Sequence, residues 1–423
     1  MFRKILCGDH SMKILILHRI PYQKIDYHRG IDHQKHDVTY IGIAESMCSI
    51  PNTLRCEMMT RPGIEKTEIE VQRFLQQTKK QFDRIISLSE YELLAAAQLR
   101  EWFNVEGSRP QQVEKVRDKL IMKKAMENYG IKTPLFMSLV EFMRTNPSFM
   151  HTNKLVIKPI DGASSENIIT VDNAAEAHTK ILGKKTGIDE LDQSHNLWNH
   201  YEIEEFIDGN IMHMDGLVQD GKIMLCIASK YINNCLDYAR GKPLGSVQIE
   251  TTSVLQQYAQ KCVTAAEIVN GSFHLECIDR NGELFFLEIA NRVGGADVVK
   301  TMELATGVHL PSAELQLLIN ESFHPNVPKF SRKKYGWFVF PGHHFESEFV
   351  SISNSDAFRM HPYVFEWFQL SPYQACKKNI TYQSNESPVA GVVAGYSSEN
   401  LMNWMQTMFS EIHITNHFFK VAI

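Results

Sequence analysis

The stretch HLECIDRNGELFFLEIANRVGG, residues 274–295, puts a His and two Glu inside runs that are otherwise apolar, on either side of Asn281-Gly282. Asn-Gly between two such runs predicts a β-hairpin. A loop of Arg280, Asn281 and Gly282 sets Asp279 opposite Glu283, Glu276 opposite Phe286 and His274 opposite Glu288. Leu275, Cys277, Phe285, Leu287 and Ile289 then share one wholly apolar face, which favours this register over its neighbour. Glu276 and Glu288 become diagonal neighbours on the other face, roughly 6–8 Å apart at Cβ. Two carboxylates that close raise each other's pKa unless a cation lies between them. A hard divalent ion such as Mg²⁺ takes one or two carboxylates together with substrate phosphates. The plainer reading of the same face is a solvated hairpin side with two ordinary Glu.

The composition sets the frame for that choice. The chain has 423 residues, enough for two or three domains, with 43% hydrophobic and 22% charged residues. Lys and Arg number 44 against 49 acidic residues, so no basic excess points to nucleic acid. The eight Cys form no CxxC pair, which fits reduced and mostly buried thiols better than disulfides or a zinc site. The early run ILIL is cut short by His18 and Arg19, and no later run could span a bilayer. A soluble, cytoplasmic protein is expected.

Strand followed by helix opens the chain: MKILILH (12–18), then FDRIISLS (82–89) leading into EYELLAAAQLREWF. That rhythm predicts an open α/β layer. QQVEKVRDKLIMKKAMENYG (111–130) reads as one helix stopped by Gly130 and Pro134. Strands are expected at 154–160, 167–171, 201–207, 211–218 and 222–231, a helix at 253–269, and aromatic strands with a late helix after 331. The fold class is therefore α/β (α+β), with segments 12–110, 111–207, 208–330 and 331–423.

Other residues favour the metal reading of the hairpin. DKLIMKK places Lys119 on a helix, and VIKPIDGASSENI (156–168) places Lys158 at a strand end before small residues. Such a loop can turn backbone N–H groups towards phosphate, with Lys158 as a point charge, although no Walker A pattern is present. Each Lys alone would be read as a solvated surface residue. In order along the chain come the helix Lys, the strand Lys with its loop, EEFIDG (204–209), Glu276, and then Glu288 followed by Arg-x-Gly-Gly. This series resembles the ATP-grasp superfamily of carboxylate–amine ligases, most of all the L-amino acid ligases that make dipeptides, over residues of about 12 to 420.

The resemblance implies an ATP-grasp fold with an N-terminal open α/β domain and a C-terminal associated subdomain. It implies that Lys119 and Lys158 contact the ATP phosphates, with Ser164 and Ser165 in the phosphate loop. The backbone of Glu204, Glu205, Phe206 and Ile207 would hold the adenine edge. Glu276 and Glu288 would bind Mg²⁺, or Mn²⁺ in its place, and Arg292 would steady charge on the transferred phosphoryl group. Gly294-Gly295, at a helix start, would receive the carboxylate. The partners implied are a small carboxylate and an amine, amino acids among them, with neither nucleic acid nor membrane; a homodimer is left open.

Two positions depart from the family pattern. Ala290 stands where a metal-binding Asn is usual, so Asn291 is not assumed to bind metal. Ile211 stands where a ribose-binding Glu is usual, with His213 or Asp215 as alternatives. His274 is either a partner of Glu288 or a structural His. Amide formation through an acyl phosphate is the expected reaction. The rivals are another ATP-grasp reaction, of the biotin-carboxylase or purine-ligase kind, and a module that binds nucleotide without turnover.

Overall fold

In the computed structural model, residues 11–145, 154–162, 165–319 and 330–418 are described. The N-terminal part is a parallel sheet of β1 (Lys13–Leu17), β2 (Asp37–Gly42), β3 (Glu57–Thr60) and β4 (Arg84–Ile86), in the order β3-β2-β1-β4. β1 is apolar from Ile14 to Leu17 because both faces are covered: Ile14 and Ile16 pack to one side, Leu15 and Leu17 to the other.

A small antiparallel sheet follows, made of β5 (Phe136–Ser138), β6 (Leu155–Pro159), β7 (Ile169–Val171) and β8 (Tyr201–Glu205), in the order β5-β8-β6-β7. The largest sheet contains β9 (Asn210–Gln219), β10 (Lys222–Ile232), β11 (Leu244–Gln248), β12 (Gly271–Arg280) and β13 (Glu283–Ala290). It continues into β14 (Lys334–Val339), β16 (Val364–Gln369) and β17 (Val389–Gly395), while β15 (Val350–Ser353) pairs with β18 (His413–Asn416). The order β13-β12-β9-β10-β11-β14-β17-β16 means that one sheet runs across the boundary expected near residue 330.

The helix expected over 111–130 is two helices, Pro110–Glu114 and Lys119–Asn128. Asp118 makes the break, because its carboxylate accepts from the N–H groups of Leu120 and Ile121 and caps a new helix. The cap fixes Lys119 in the first turn, and the Lys119 N–H donates to Ile160 O at the end of β6 (3.0 Å).

The hairpin differs from its expected register in an instructive way. Arg280 pairs with Glu283 across a two-residue turn in which Asn281 (φ 56°) and Gly282 (φ 88°) are both left-handed. Cys277 therefore faces Phe286, and Phe286 is fully buried in the core beside Leu275 and Ile289. A bulge between Glu276 and Cys277 then adds one residue on β13 and restores the parity, so Glu276 lies directly opposite Glu288 rather than on the diagonal. Phe285 and Leu287, expected in the core, instead join Ile207, Ile211 and Ile278 in a separate apolar cluster.

Candidate functional site

The small sheet and the hairpin enclose a cleft of about 210 Å³. Lys119, Lys158, Ser165, Glu204, Glu205, Phe206, Ile207, Glu276 and Glu288 all line it. Ser164 lies outside the described residues, and Arg292 lies outside the lining. Val156 and Ile168 supply apolar surface from the small sheet, and Ile211, Ile278 and Leu287 supply it from the large one. The cleft thus has an apolar slot beside a charged end, the usual division of a small-molecule site.

At the charged end Lys119 is buried, and its Nζ donates to Gly162 O (2.7 Å) with Glu288 Oε2 at 3.4 Å. Lys158 is buried as well, where a wet strand-end Lys was expected; its Nζ sits 2.6 Å from Glu204 Oε1. Burial alone would lower the Lys158 pKa, but the Glu204 and Glu202 carboxylates hold it above the ordinary lysine value. Glu288 keeps 32% of its side chain exposed, whereas Glu276 is buried.

Glu276 is held from behind. Tyr231 OH donates to Glu276 Oε1 (2.7 Å), and His274 Nε2 stands 3.4 Å from the same oxygen. On the strand between, Asp215 receives His274 Nδ1 at 2.7 Å and His213 Nδ1 at 2.5 Å. Burial works against the charge on His274, but the Asp215 and Glu276 carboxylates together outweigh it and raise its pKa to about 10. His274 stands between two carboxylates, Asp215 and Glu276, and its partner on the hairpin is Glu276, not Glu288. His213 and Asp215 are spent on this network, with His213 Nε2 at 2.6 Å from Ser246 Oγ, so neither replaces the ribose-binding Glu. A Cβ on Gly294 would meet Asp215 Oδ1 at 2.6 Å and His274 Nδ1 at 2.9 Å, so only Gly fits where this loop crosses the network.

Arg292 faces Glu90 from the N-terminal domain: its Nε lies 2.5 Å from Glu90 Oε2, and Nη1 donates to Val293 O (2.8 Å). Glu90 also binds Arg117 (2.5 Å). Burial pushes the Glu90 pKa up, but the Arg292 and Arg117 guanidinium groups more than offset it and hold it below the usual carboxylate range. Asn291 Nδ2 donates to Ser272 O (2.8 Å), which ties its loop to β12, and Asn291 does not line the cleft. Gly294-Gly295 precede the helix Val298–Thr306 by a turn and do not form its first residues.

Residues 116–296 match the family model described as ATP-grasp domain. This chain carries an ATP-grasp domain. The L-arginine-specific L-amino acid ligase of Bacillus subtilis is 27% identical over 254 residues. That alignment spans 56% of this chain and only 58% of the relative. Among solved structures, an L-amino acid ligase from Bacillus licheniformis superposes with a TM-score of 0.70 at 18% identity, covering 97% of this chain and 99% of the other. Phosphoribosylglycinamide synthetase from Anaerococcus prevotii follows with a TM-score of 0.63 at 16% identity, covering 96% and 100%. The ATP-grasp architecture therefore extends over almost the whole chain.

Several site residues escaped the sequence reading. Lys123 follows Lys119 by four positions, one helical turn, and that spacing was the available signal. Glu202 alternates with Glu204 on β8 and so shares its face. Glu90 gave no signal, since it comes to Arg292 from 202 residues away. Among the described residues the seven Cys are free; Cys262, Cys277 and Cys376 are buried, Cys56, Cys226 and Cys235 are half-buried, and Cys48 is exposed, where mostly buried thiols were expected. No helix among the described residues is long and apolar enough to cross a membrane.

Proposed function

We propose that this protein is an ATP-dependent carboxylate–amine ligase that joins an acid to an amino acid, two amino acids included, and releases ADP and phosphate. The observation that carries the reading is the direct opposition of Glu276 and Glu288 in a cleft that also receives Lys119 and Lys158. The donor set suits Mg²⁺: two hard carboxylates, one fixed by Tyr231 and one open to the cleft. When bound there, the ion would neutralise charge on the nucleotide phosphates.

The chain's own residues do the rest. Ile207, Ile211, Ile278 and Leu287 form a slot suited to a purine ring. The N–H groups of Glu205 and Phe206 already donate to Leu135 O and Lys154 O, which leaves the Ile207 N–H and the hinge carbonyls for the base edge. Lys119 and Lys158 take the phosphates. The substrate carboxylate attacks the γ-phosphorus and ADP leaves; the amine then attacks the acyl carbon and phosphate leaves. No side chain forms a covalent bond, so the work is positioning and charge neutralisation. Arg292 offers a planar fork to the migrating phosphoryl group once it gives up Glu90. ATP and free amino acids place such a reaction in the cytoplasm.

Pairs of amino acids are screened for ADP and phosphate release, and the products are read by mass spectrometry. Release that needs both an acid and an amine, with an amide product, supports the reading. Tight ATP binding with no release under any pair would leave a nucleotide-binding module instead.

A further inference from the structure

Lys119 and Lys123 stand one turn apart on the same helix, but only Lys119 reaches the cleft. The Lys123 side chain is 0% exposed, 2.6 Å from Glu202 Oε1 and in contact with Glu204. Its Nζ also lies 5.2 Å from the centre of the Phe136 ring. On the other side Lys158 Nζ is 2.6 Å from Glu204 and 3.7 Å from Glu202. Two ammonium groups and two carboxylates thus neutralise one another, Lys158 and Glu204 at the cleft wall and Lys123 and Glu202 behind it. The balance is tight, because Glu202 Oε2 is buried with no hydrogen-bond partner among the described residues.

An incoming polyphosphate competes with these carboxylates for Lys158. Removing the only counter-ion from a buried carboxylate is strongly unfavourable. Here the two carboxylates keep a second ammonium, one that cannot leave, because Lys123 does not line the cleft. We propose that Lys123 is a positioning residue, the resident counter-ion of Glu202 and Glu204 that lets Lys158 pass to the nucleotide phosphates. Glu202 acts as the opposing pull. The inference rests on the reading that Lys158 binds phosphate.

The test is calorimetric ADP binding in the presence of Mg²⁺ by the whole chain. Glu202→Gln, nearly isosteric, removes the opposing pull and should tighten ADP about tenfold, while Lys123→Met should weaken it about tenfold, the scale of one close charge pair. The double variant Lys123→Met/Glu202→Gln leaves one bare carboxylate behind when Lys158 moves, where Lys123→Met leaves two, so it should recover part of the lost ADP affinity without exceeding the parent. A purely structural Lys123 gives no such recovery. If Lys123→Met does not fold, Glu202→Gln decides alone, since unchanged or weaker ADP binding there overturns the proposal. A gain that persists in the Lys158→Ala background also overturns it, because the effect would then be general charge and not passage of Lys158. Lys158→Ala by itself reads the phosphate assignment: ordinary ADP affinity in that variant would overturn the assignment and, with it, the passage of Lys158.

Discussion

In the N-terminal domain Glu70 accepts from the main-chain N–H groups of Gly63 (3.0 Å), Ile64 (2.8 Å) and Glu65 (3.0 Å) and from Arg61 (3.1 Å). In the cleft the single ion pair of Glu288 among the described residues is with Lys119 at 3.4 Å. Both carboxylates belong to charged clusters, but their surroundings ask different things of them. Four donors exhaust the acceptor capacity of Glu70 and lock a turn, so its charge stabilises the fold. Glu288 keeps lone pairs pointed at solvent, so its charge is available to a ligand. Incomplete satisfaction therefore separates Glu288 from Glu70 more sharply than membership of a charged cluster does.

The largest effect is expected where satisfaction is least complete. Glu288→Gln removes one charge and almost no volume, and turnover should fall on the order of 10³-fold through loss of charge stabilisation. Its melting temperature should hardly move, since a part-exposed site costs within about 0.5 kcal/mol. Melting and ADP release on one sample check both halves; a destabilised variant with normal turnover would reverse the comparison.

Arg292→Lys comes next. It should keep most ATP affinity yet lose on the order of 10²-fold in turnover, as when one transition-state donor is removed. Because Arg292 pairs with Glu90, Glu90→Gln is the matching control. If the pair only joins the domains, both variants melt early and turn over normally per folded molecule.

Glu70→Gln should do the opposite of Glu288→Gln. About 2 kcal/mol of stability should be lost with its charge-assisted hydrogen bonds, read by urea unfolding, while turnover per folded molecule stays unchanged.

The smallest effect is in pH. Burial opposes the Glu70 charge, but the three N–H donors and Arg61 outweigh it and bring its pKa from 4.5 to about 2. Since the folded pKa lies below the unfolded one, this contribution is complete above pH 4.5 and is lost as pH falls through about 2. Glu70→Gln should flatten the acid limb of the stability curve over that window. An unchanged limb would mean that other carboxylates set it.

Much of this protein was legible because chemistry and spacing were local. Opening strand β1, the hairpin, and the order of Lys119, Lys158, Glu204, Glu276, Glu288 and Arg292 all follow from short patterns of apolar and charged residues. Periodicity fixed that Glu276 and Glu288 share a face, and parity survived the wrong register because the bulge restored it. What the sequence could not set were relations that depend on where distant backbone ends. A two-residue turn and a one-residue bulge decided that the two Glu meet directly and that Phe285 and Leu287 join a separate apolar cluster instead of the core. An Asp cap split a helix that periodicity read as continuous. The burial of Lys158 and the partners of Lys123, Glu276 and Arg292 come from strands and domains far apart in the chain, and only their packing brings those charges within reach of one another.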